Sequence, residues 1–168
     1  MQTHVVRATR SDQPVLRELF QLYAYDFSEI IHTEVGDNGR FPDPRLDAYW
    51  CDAWRFPFLL RVDDHLAGFA LVHRGSRISN DDDVWDMAEF FVLRRHRRAR
   101  VGMRAAHHLF AMHPGRWEIR QRRENAFATL FWRRAVSTYT NGSFFDELLD
   151  DPMWQGPVQR FTSGHRSL

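Results

Sequence analysis

The sequence has 168 residues, a length that fits one domain of ordinary size. Hydrophobic residues make up 43% and charged residues 27% of the chain, which excludes a disordered polar chain and a fibrous repeat. No apolar run approaches the ~18 residues of a membrane helix, and the N-terminus lacks the apolar core of a signal peptide. We therefore expect one cytoplasmic domain spanning residues 1–168, with residues 163–168 as a polar tail.

The residue types in the chain exclude several kinds of covalent and metal chemistry. Cys51 is the only cysteine, so an internal disulfide and a paired-thiol metal site are excluded. All 23 cationic residues are arginine, which excludes lysine Schiff-base chemistry. His107 and His108 are adjacent on a predicted helix and point about 100° apart, so no shared metal ion is expected.

Charge is distributed unevenly along the chain. Residues 1–93 carry 9 Arg against 16 acidic residues, residues 94–134 carry 12 Arg against 2, and residues 135–168 carry 2 Arg against 4. The middle segment therefore has a net charge of +10, while the rest of the chain has −9. Such a segment attracts a polyanion, either the phosphates of a small cofactor or a nucleic acid backbone.

The N-terminal half is predicted to contain three strands and two helices. A strand over residues 4–8 precedes a helix that begins after Ser11 and Asp12 and carries its apolar residues at helical spacing. Residues 34–44 contain two Gly and two Pro and predict a loop, before a second helix around residues 46–54. Residues 58–62 and 66–72 predict a hairpin closed by a polar turn.

The C-terminal half begins with a strand over residues 84–93, predicted to be buried on both faces. A helix from Val101 to Met112 ends at Pro114, a short strand follows over residues 117–120, and Asn125 caps another helix. The predicted apolar face of that helix consists of Phe127, Leu130, Phe131 and Ala135. Two strands over residues 143–148 and 158–162 complete the order β α α β β β α β α β β, a mixed α/β fold.

The segment after the strand at residues 84–93 combines three features of a phosphate site. A strand runs into a sharp turn and a helix N-terminus, where free backbone N–H groups and the helix dipole point at one spot. Arg97, Arg98 and Arg100 surround that spot. The sequence therefore predicts a pyrophosphate site at this turn.

The run Arg97-Arg98-Ala99-Arg100-Val101-Gly102 resembles motif A of the GNAT superfamily of N-acetyltransferases. In that family a strand, an Arg/Gln-x-x-Gly-x-Gly/Ala turn and a helix bind acetyl-CoA. Arg100 stands where the family usually has its first Gly. Two alternatives stay open: the Arg100 side chain obstructs the backbone approach to phosphate, or it adds a phosphate contact.

The resemblance covers most of the chain. Residues 6–9 with Asp12 are similar to the family's first strand and helix, residues 66–70 to its third strand, and residues 118–132 to its fifth strand and Asn-x-x-Ala-x-x-aromatic-aromatic helix. The resemblance implies a single GNAT-like domain with a central, mostly antiparallel sheet flanked by helices. Where relatives have a Tyr that protonates the CoA thiolate, this chain has Trp132, which leaves Tyr139 or water as the proton source.

What the resemblance implies is an acetyl-CoA-dependent N-acetyltransferase that transfers acetyl directly to a primary amine of a small molecule or peptide. Acetyl-CoA is the cosubstrate and no metal is required. The implied cofactor-binding residues are Phe90, Phe91 and Val92 for the pantetheine arm, Arg97, Arg98, Ala99, Arg100, Val101 and Gly102 for the pyrophosphate, and Asn125.

Three carboxylates are candidates for the general base: Asp86, Glu89 and Glu118. Strand alternation predicts that Asp86 and Glu89 lie on opposite faces, so that at most one of them lines a given face. A structural role is the alternative for each. Asp86 would then lie at a solvated strand entrance, and Glu89 would pair with an arginine.

Two other functions stay open. One is an acetyl-CoA-binding protein that has lost catalysis. This alternative is kept because Arg100 and Trp132 depart from the residues usual in the family. The other is a nucleic-acid-binding module, which is disfavoured because the arginines follow a strand-to-helix turn and the rest of the chain is negative. We expect no nucleic acid and no membrane partner.

The sequence does not identify the acceptor. The acidic and aromatic residues between residues 24 and 56 suit a cationic amine; they are Tyr25, Asp26, Glu29, Glu34, Asp37, Tyr49, Trp50 and Trp54. A polyamine, an aminoglycoside, an amino acid and a protein N-terminus all stay open as acceptors. A homodimer is one alternative for the oligomeric state, because members of the family often dimerise.

Overall fold

Seven strands form one mixed sheet in the structure, a computed structural model that describes residues 2–164. The strands are β1 (Thr3–Arg7), β2 (Arg55–Val62), β3 (His65–Arg74), β4 (Val84–Val92), β5 (Gly115–Arg120), β6 (Phe145–Asp150) and β7 (Gln155–Ser163). The helices are α1 (Gln13–Ile31), α2 (Ala48–Cys51), α3 (Val101–Met112) and α4 (Ala126–Thr140). The predicted element order is therefore confirmed.

The strand order across the sheet is β1-β2-β3-β4-β5-β7-β6. Only the central pair β4–β5 is parallel, and every other neighbouring pair is antiparallel. This confirms the predicted mixed sheet with mostly antiparallel pairing. The parallel pair is made possible by α3, which supplies the crossover connection between β4 and β5.

Helices cover both faces of the sheet. On one face, which we call the α1 face, Leu16 and Leu19 of α1 and Tyr49 of α2 pack with Phe69 and Phe91 of the sheet. On the other, the α3 face, apolar residues of α3 and α4 pack with the opposite sides of the same strands, and the buried members include Leu109, Phe110, Ala135, Val72 and Trp117. Burial of each large side chain stabilises the fold by about 1.5–3 kcal/mol, so the two clusters fix β3 and β4 in the middle of the protein.

The apolar face predicted for α4 is partly wrong. Phe127 is 89% exposed and Leu130 65% exposed, whereas Thr129, Trp132, Ala135 and Val136 are buried. Successive residues of a helix are rotated by about 100°, so a small rotation of the helix changes which residues face the sheet. The buried stripe of α4 is therefore displaced from the stripe that hydrophobicity alone predicted. Phe131 lies at its edge and stacks on Phe90, with ring centroids 5.9 Å apart.

Three further predictions need correction. The second helix is a single turn, because residues from Arg55 onward pair with β3. Strand β4 is buried on both faces only from Val84 to Met87. Ser163 belongs to β7 and is buried, and its hydroxyl donates a hydrogen bond to the Phe110 carbonyl at 2.6 Å. The prediction that the polar tail begins at residue 163 is therefore wrong. The rest of the predicted tail, residues 165–168, lies outside the described residues.

None of the helices in residues 2–164 is both long enough and apolar enough to span a lipid bilayer.

Candidate functional site

The two parallel strands in the centre of the sheet separate early. β4 pairs with β5 only over Val84, Trp85 and Asp86, although β4 continues to Val92 and β5 to Arg120. Residues 87–92 therefore present a strand edge without a partner strand on the β5 side, and we call this opening the splay. An extended ligand can hydrogen bond to such an edge. One acceptor there is already used, because the Val92 carbonyl accepts a hydrogen bond from Arg97 Nε at 2.7 Å.

The turn that follows β4 contains two arginines in the left-handed conformation, Arg98 with φ 65° and Arg100 with φ 61°. This conformation costs a non-glycine residue about 1–2 kcal/mol, and such strain is concentrated at functional sites. Arg100 adopts the left-handed conformation that glycine enters without this cost. Arginine in place of glycine therefore does not prevent the sharp turn.

Helix α3 begins directly after Arg100, with its first residues directed at the turn. Arg104 N donates to Arg100 O at 3.0 Å, so the preceding N–H groups at Val101, Gly102 and Met103 have no acceptor within the helix. A Cβ added to Gly102 would lie 3.3 Å from the Phe131 ring and 3.5 Å from Val92 Cγ2. The missing side chain lets the helix start close to α4 and β4. Free N–H groups at a helix N-terminus can bind an anion, so the geometry is compatible with the predicted pyrophosphate site.

Asp26 of α1 binds two of the arginines. Arg94 donates to Asp26 Oδ1 from Nε at 3.0 Å and from Nη2 at 2.8 Å, and Arg97 Nη2 binds Oδ2. Partial burial opposes the ionisation of Asp26, but the hydrogen bonds and charges of Arg97 and Arg94 outweigh it and hold its pKa below the ordinary value. Arg98 and Arg100 are exposed and have no ion pair in the described part of the chain. Their side chains are therefore available to an anion, and so is that of Arg95, which is also exposed and without an ion pair in the described residues.

A β-bulge in β4 changes the direction of a predicted base. Leu71 of β3 pairs with Glu89, while the next residue, Val72, pairs with Met87, so Ala88 is an extra residue. Because one inserted residue reverses the alternation, Glu89 and Asp86 lie on the same face, the α1 face. The prediction that they lie on opposite faces is wrong for this reason.

Asp86 is completely buried and paired. Its two oxygens accept hydrogen bonds from Arg120 Nε at 3.1 Å and Nη2 at 2.8 Å, and His73 Nδ1 lies 3.3 Å from Oδ2. Burial lowers the pKa of His73, although the charge of Asp86 acts in the opposite direction. Because a lowered pKa disfavours the charged form of His73, the counter-ion of Asp86 is Arg120. Asp86 is therefore not at a solvated strand entrance.

Glu118 faces the same side and is also paired. It is 2% exposed, and it accepts hydrogen bonds from Ser76 Oγ at 2.7 Å and from Arg160 Nε at 2.9 Å. Arg160 also binds Glu147. Both oxygens of Glu118 thus hold neighbouring strands and the β3–β4 loop together.

Glu89 differs from the other two carboxylates because its hydrogen-bond partner is neutral. Tyr23 Oη of α1 donates to Glu89 Oε2 at 2.5 Å. Burial raises the pKa of Glu89, while the hydrogen bond from Tyr23 acts in the opposite direction. The alternative in which Glu89 pairs with an arginine is wrong. We refer to Asp86, Glu89, Glu118, Arg120 and Arg160 together as the charged face.

The predicted cap of α4 is confirmed, since Asn125 Oδ1 accepts a hydrogen bond from Ala128 N at 3.0 Å. Trp132, about two turns after Asn125, is 6% exposed and packs on Phe90 with ring centroids 5.0 Å apart. Tyr139 lies about 10 Å further along the helix, and its hydroxyl is bonded to Ser163 Oγ at 2.8 Å. Tyr139 is therefore not placed to protonate a leaving group near Phe90.

A cleft of about 630 Å³ contains Glu118 and Arg160, but none of the predicted cofactor residues lines it. Within residues 2–164, no three His, Cys, Asp or Glu side chains are grouped to hold a metal ion. His107 Nε2 is bonded to the Ala135 carbonyl at 2.9 Å, which accounts for this histidine without a metal.

No protein-family model matches the sequence, and no curated protein matches it closely enough to count as a relative. Solved structures do match. An acetyltransferase from Thermus thermophilus has a TM-score of 0.67 and 17% identity, over 96% of this chain and 97% of that one. An aminoglycoside 6'-N-acetyltransferase complexed with coenzyme A has a TM-score of 0.63 and 14% identity, over 98% and 99%.

A third similar structure is the spermidine N-acetyltransferase from Vibrio cholerae in complex with CoA and spermine, with a TM-score of 0.57 and 10% identity over 96% of both chains. An acetyltransferase from Staphylococcus aureus, described as a member of the GNAT family, matches over 96% of this chain with a TM-score of 0.64. The protein therefore has the fold of the GNAT acetyltransferases, as the sequence resemblance predicted.

The environment of Asp86 predicts a structural role that can be separated from catalysis. Replacing Asp86 by Asn leaves Arg120 buried without its counter-ion, which should lower the free energy of unfolding by about 3 kcal/mol or more. Glu89→Gln is the matched control, because its partner Tyr23 is neutral and a smaller loss is expected. Chemical denaturation of both variants checks this; equal losses in the two would contradict the assignment.

Proposed function

We propose that the protein is an acetyl-CoA-dependent N-acetyltransferase that transfers acetyl directly to a primary amine. The observation that carries this proposal is the position of Glu89. The bulge at Ala88 puts its carboxylate on the α1 face, beside the unpaired edge of β4 and a few residues before the phosphate turn. A buried carboxylate, an open strand edge and a helix N-terminus therefore follow one another along a single segment.

In this proposal the turn after β4 holds the pyrophosphate. The N–H groups of Val101, Gly102 and Met103 donate to its oxygens, and the exposed side chains of Arg98 and Arg100 neutralise its charge. The missing side chain at Gly102 supports this fit, because it lets the start of α3 lie close to Val92 at the end of β4. Arg97 contributes mainly by fixing the turn, since it already bonds Val92 and Asp26.

The pantetheine arm would lie in the splay. The unpaired edge over residues 90–92 offers backbone groups to the amides of the arm. Asn125, which follows β5 and caps α4, would contact the arm from the β5 side. A backbone N–H on this edge would also stabilise the negative charge that develops on the thioester oxygen. Ala99 and Val101 support the turn from below, packed with Val62 and Ala67.

Glu89 is the proposed general base. The amine nitrogen bonds to the thioester carbon as Glu89 takes a proton from nitrogen, and the bond from carbon to sulfur then breaks to give the amide and a thiolate. A carboxylate with a raised pKa is better matched to this task near neutral pH than an ordinary one. Asp86 and Glu118 are positioning residues in this proposal, because each is occupied by an arginine.

Water is the proposed proton source for the thiolate. Trp132 cannot release a proton near neutral pH, and the Tyr139 hydroxyl is bonded elsewhere. Thiols have pKa values of about 8.5, so protonation by solvent does not require a strong acid. Trp132 is also the observation that favours a second candidate, a protein that binds acetyl-CoA without turnover. Turnover measured with a panel of primary amines separates the two.

The first prediction for this function concerns Arg100. Calorimetry should show that CoA binds, and Arg100→Gln should weaken binding by about tenfold to a hundredfold, the loss of one charge-assisted hydrogen bond. Arg134→Gln, an exposed arginine on α4, is the control and should bind as the wild type does. Tighter binding by Arg100→Gly would instead indicate that the side chain obstructs phosphate. A wild-type protein without CoA affinity would refute the cofactor assignment.

The second prediction concerns Glu89. Glu89→Gln should lower the turnover number about a hundredfold or more while acetyl-CoA affinity stays nearly unchanged. Glu89 must be ionised to act, and burial raises its pKa, so the wild-type rate should increase with pH through an inflection above the ordinary glutamate range.

Two acceptors with different amine pKa values serve as the control, because only an enzyme base gives the same inflection with both. Asp86→Asn and Glu118→Gln are measured in parallel, at a temperature where each is folded. If all three variants kept the wild-type rate, proton removal would occur through solvent and Glu89 would not be the base.

A further inference from the structure

The hydroxyl of Tyr23 is the one hydrogen-bond partner of the Glu89 side chain in the described part of the chain. It donates to Oε2 at 2.5 Å, and Oε1 of Glu89 accepts no hydrogen bond within residues 2–164. The two carboxylate oxygens are therefore not equivalent, because α1 holds one of them and the other is left to accept a proton. Asp86 and Glu118 differ in this respect, since an arginine binds each of them.

Aromatic packing places the Tyr23 hydroxyl. The Tyr23 ring contacts four other rings at centroid distances of 5.3 to 5.7 Å, those of Phe20, Phe27, Phe69 and Phe91. Phe91 lies two residues after Glu89 on β4, so the ring and the hydroxyl of Tyr23 contact the same short stretch of strand. Rings packed on several sides keep one rotamer, so the hydroxyl does not depend on its hydrogen bond for its position.

Tyr23 stays a hydrogen-bond donor while Glu89 titrates. Burial raises the pKa of Tyr23 well above its ordinary value, the negative charge of Glu89 adds to this effect, and the opposing charge of Arg122 is a smaller influence. A hydrogen bond to an ionised carboxylate is stronger than one to a neutral carboxyl group. The bond from Tyr23 therefore favours the ionised form of Glu89 and opposes the effect of burial on its pKa.

Other groups act on the charge of Glu89 from a greater distance. Four charged or titratable side chains interact with it electrostatically without a hydrogen bond to it in residues 2–164: Arg77, Asp86, Arg120 and Tyr49. The two arginines favour the ionised form of Glu89, and Asp86 opposes it. Tyr23 is thus the group that acts on Glu89 through direct contact.

We propose that Tyr23 is the positioning residue of the base: its hydroxyl holds Glu89 Oε2, which turns Oε1 toward the acceptor amine and keeps the carboxylate ionised. This inference rests on the proposed function, because it takes Glu89 as the base. The proton from the amine nitrogen goes to Oε1, and Tyr23 keeps its own proton. Asp26, one turn further along α1, binds Arg94 and Arg97, so the same helix also holds the turn after β4.

The test is the pH dependence of turnover in Tyr23→Phe, which keeps the packed ring and removes only the hydroxyl. The inflection assigned to Glu89 should move upward by about one pH unit, because loss of the hydrogen bond disfavours the ionised form. Turnover below the inflection should therefore fall about tenfold, the loss should shrink at higher pH, and KM for acetyl-CoA should not change. An equal loss at every pH, with the inflection unchanged, would mean that Tyr23 only supports the fold and would overturn the inference.

Tyr139→Phe is the matched control. It also removes one phenol hydroxyl that has a hydrogen-bond partner, Ser163, but this hydroxyl lies on the α3 face, so the inflection should stay where it is in the wild type. A second variant carries a fluorinated tyrosine at position 23, which keeps the hydroxyl and makes it a stronger donor. The inflection should then move to lower pH, opposite to the effect of Tyr23→Phe. A shift of the same sign in both variants would contradict the inference.

Carbon-13 NMR of the Glu89 carboxyl group keeps this inference separate from the proposed function. The pKa of Glu89 is read from a pH titration of the wild type and of Tyr23→Phe, and Glu89→Gln assigns the signal. A rise of about one unit in Tyr23→Phe, in a protein that acetylates no primary amine, would overturn the proposed function and leave the control of Glu89 by Tyr23 standing. Turnover in a protein whose Glu89 has the same pKa with and without the Tyr23 hydroxyl would overturn the inference alone.

Discussion

One extra residue in the central strand determines how the site is arranged. The bulge at Ala88 turns Glu89 onto the α1 face, and pairing between β4 and β5 has already ended two residues earlier. Without the bulge, Glu89 would point into the apolar cluster beneath α3 and α4, where a carboxylate could not be accommodated without a partner. The bulge thus directs the proposed base toward the acceptor side, next to the strand edge that the splay leaves open.

Helix α1 connects the two ends of this segment. Tyr23 bonds Glu89, and Asp26 bonds Arg94 and Arg97 of the turn after β4. Residues three apart lie on the same side of a helix, so a single helix face holds both the proposed base and the turn after β4. Movement of α1 would therefore change both together. On the charged face, Asp86 and Glu118 are each paired with an arginine, whereas the hydrogen-bond partner of Glu89 is the neutral Tyr23.

The parts of the protein that local sequence determines were predictable. The strand, turn and helix from Val84 to Met112 follow from hydrophobic spacing and Pro114, and Asn125 caps α4 as its side chain chemistry suggests. The bulge was not predictable, because a single inserted residue leaves no mark on the pattern yet reverses every later side chain. The partners of Glu89, Asp86 and Arg97 lie 66, 34 and 71 positions away, and only the folded chain brings them together. The face of α4 was misassigned because exposed Phe127 and Leu130 are as hydrophobic as core residues.

The central claim is that CoA occupies the splay and the turn after β4. Backbone amide NMR during a titration with CoA tests this most directly. The account predicts that the largest shifts occur in residues 88–92 and 98–103, with Asn125 also affected. Shifts confined to the cleft around Ser79, Phe144 and Phe161, with the turn unchanged, would contradict it.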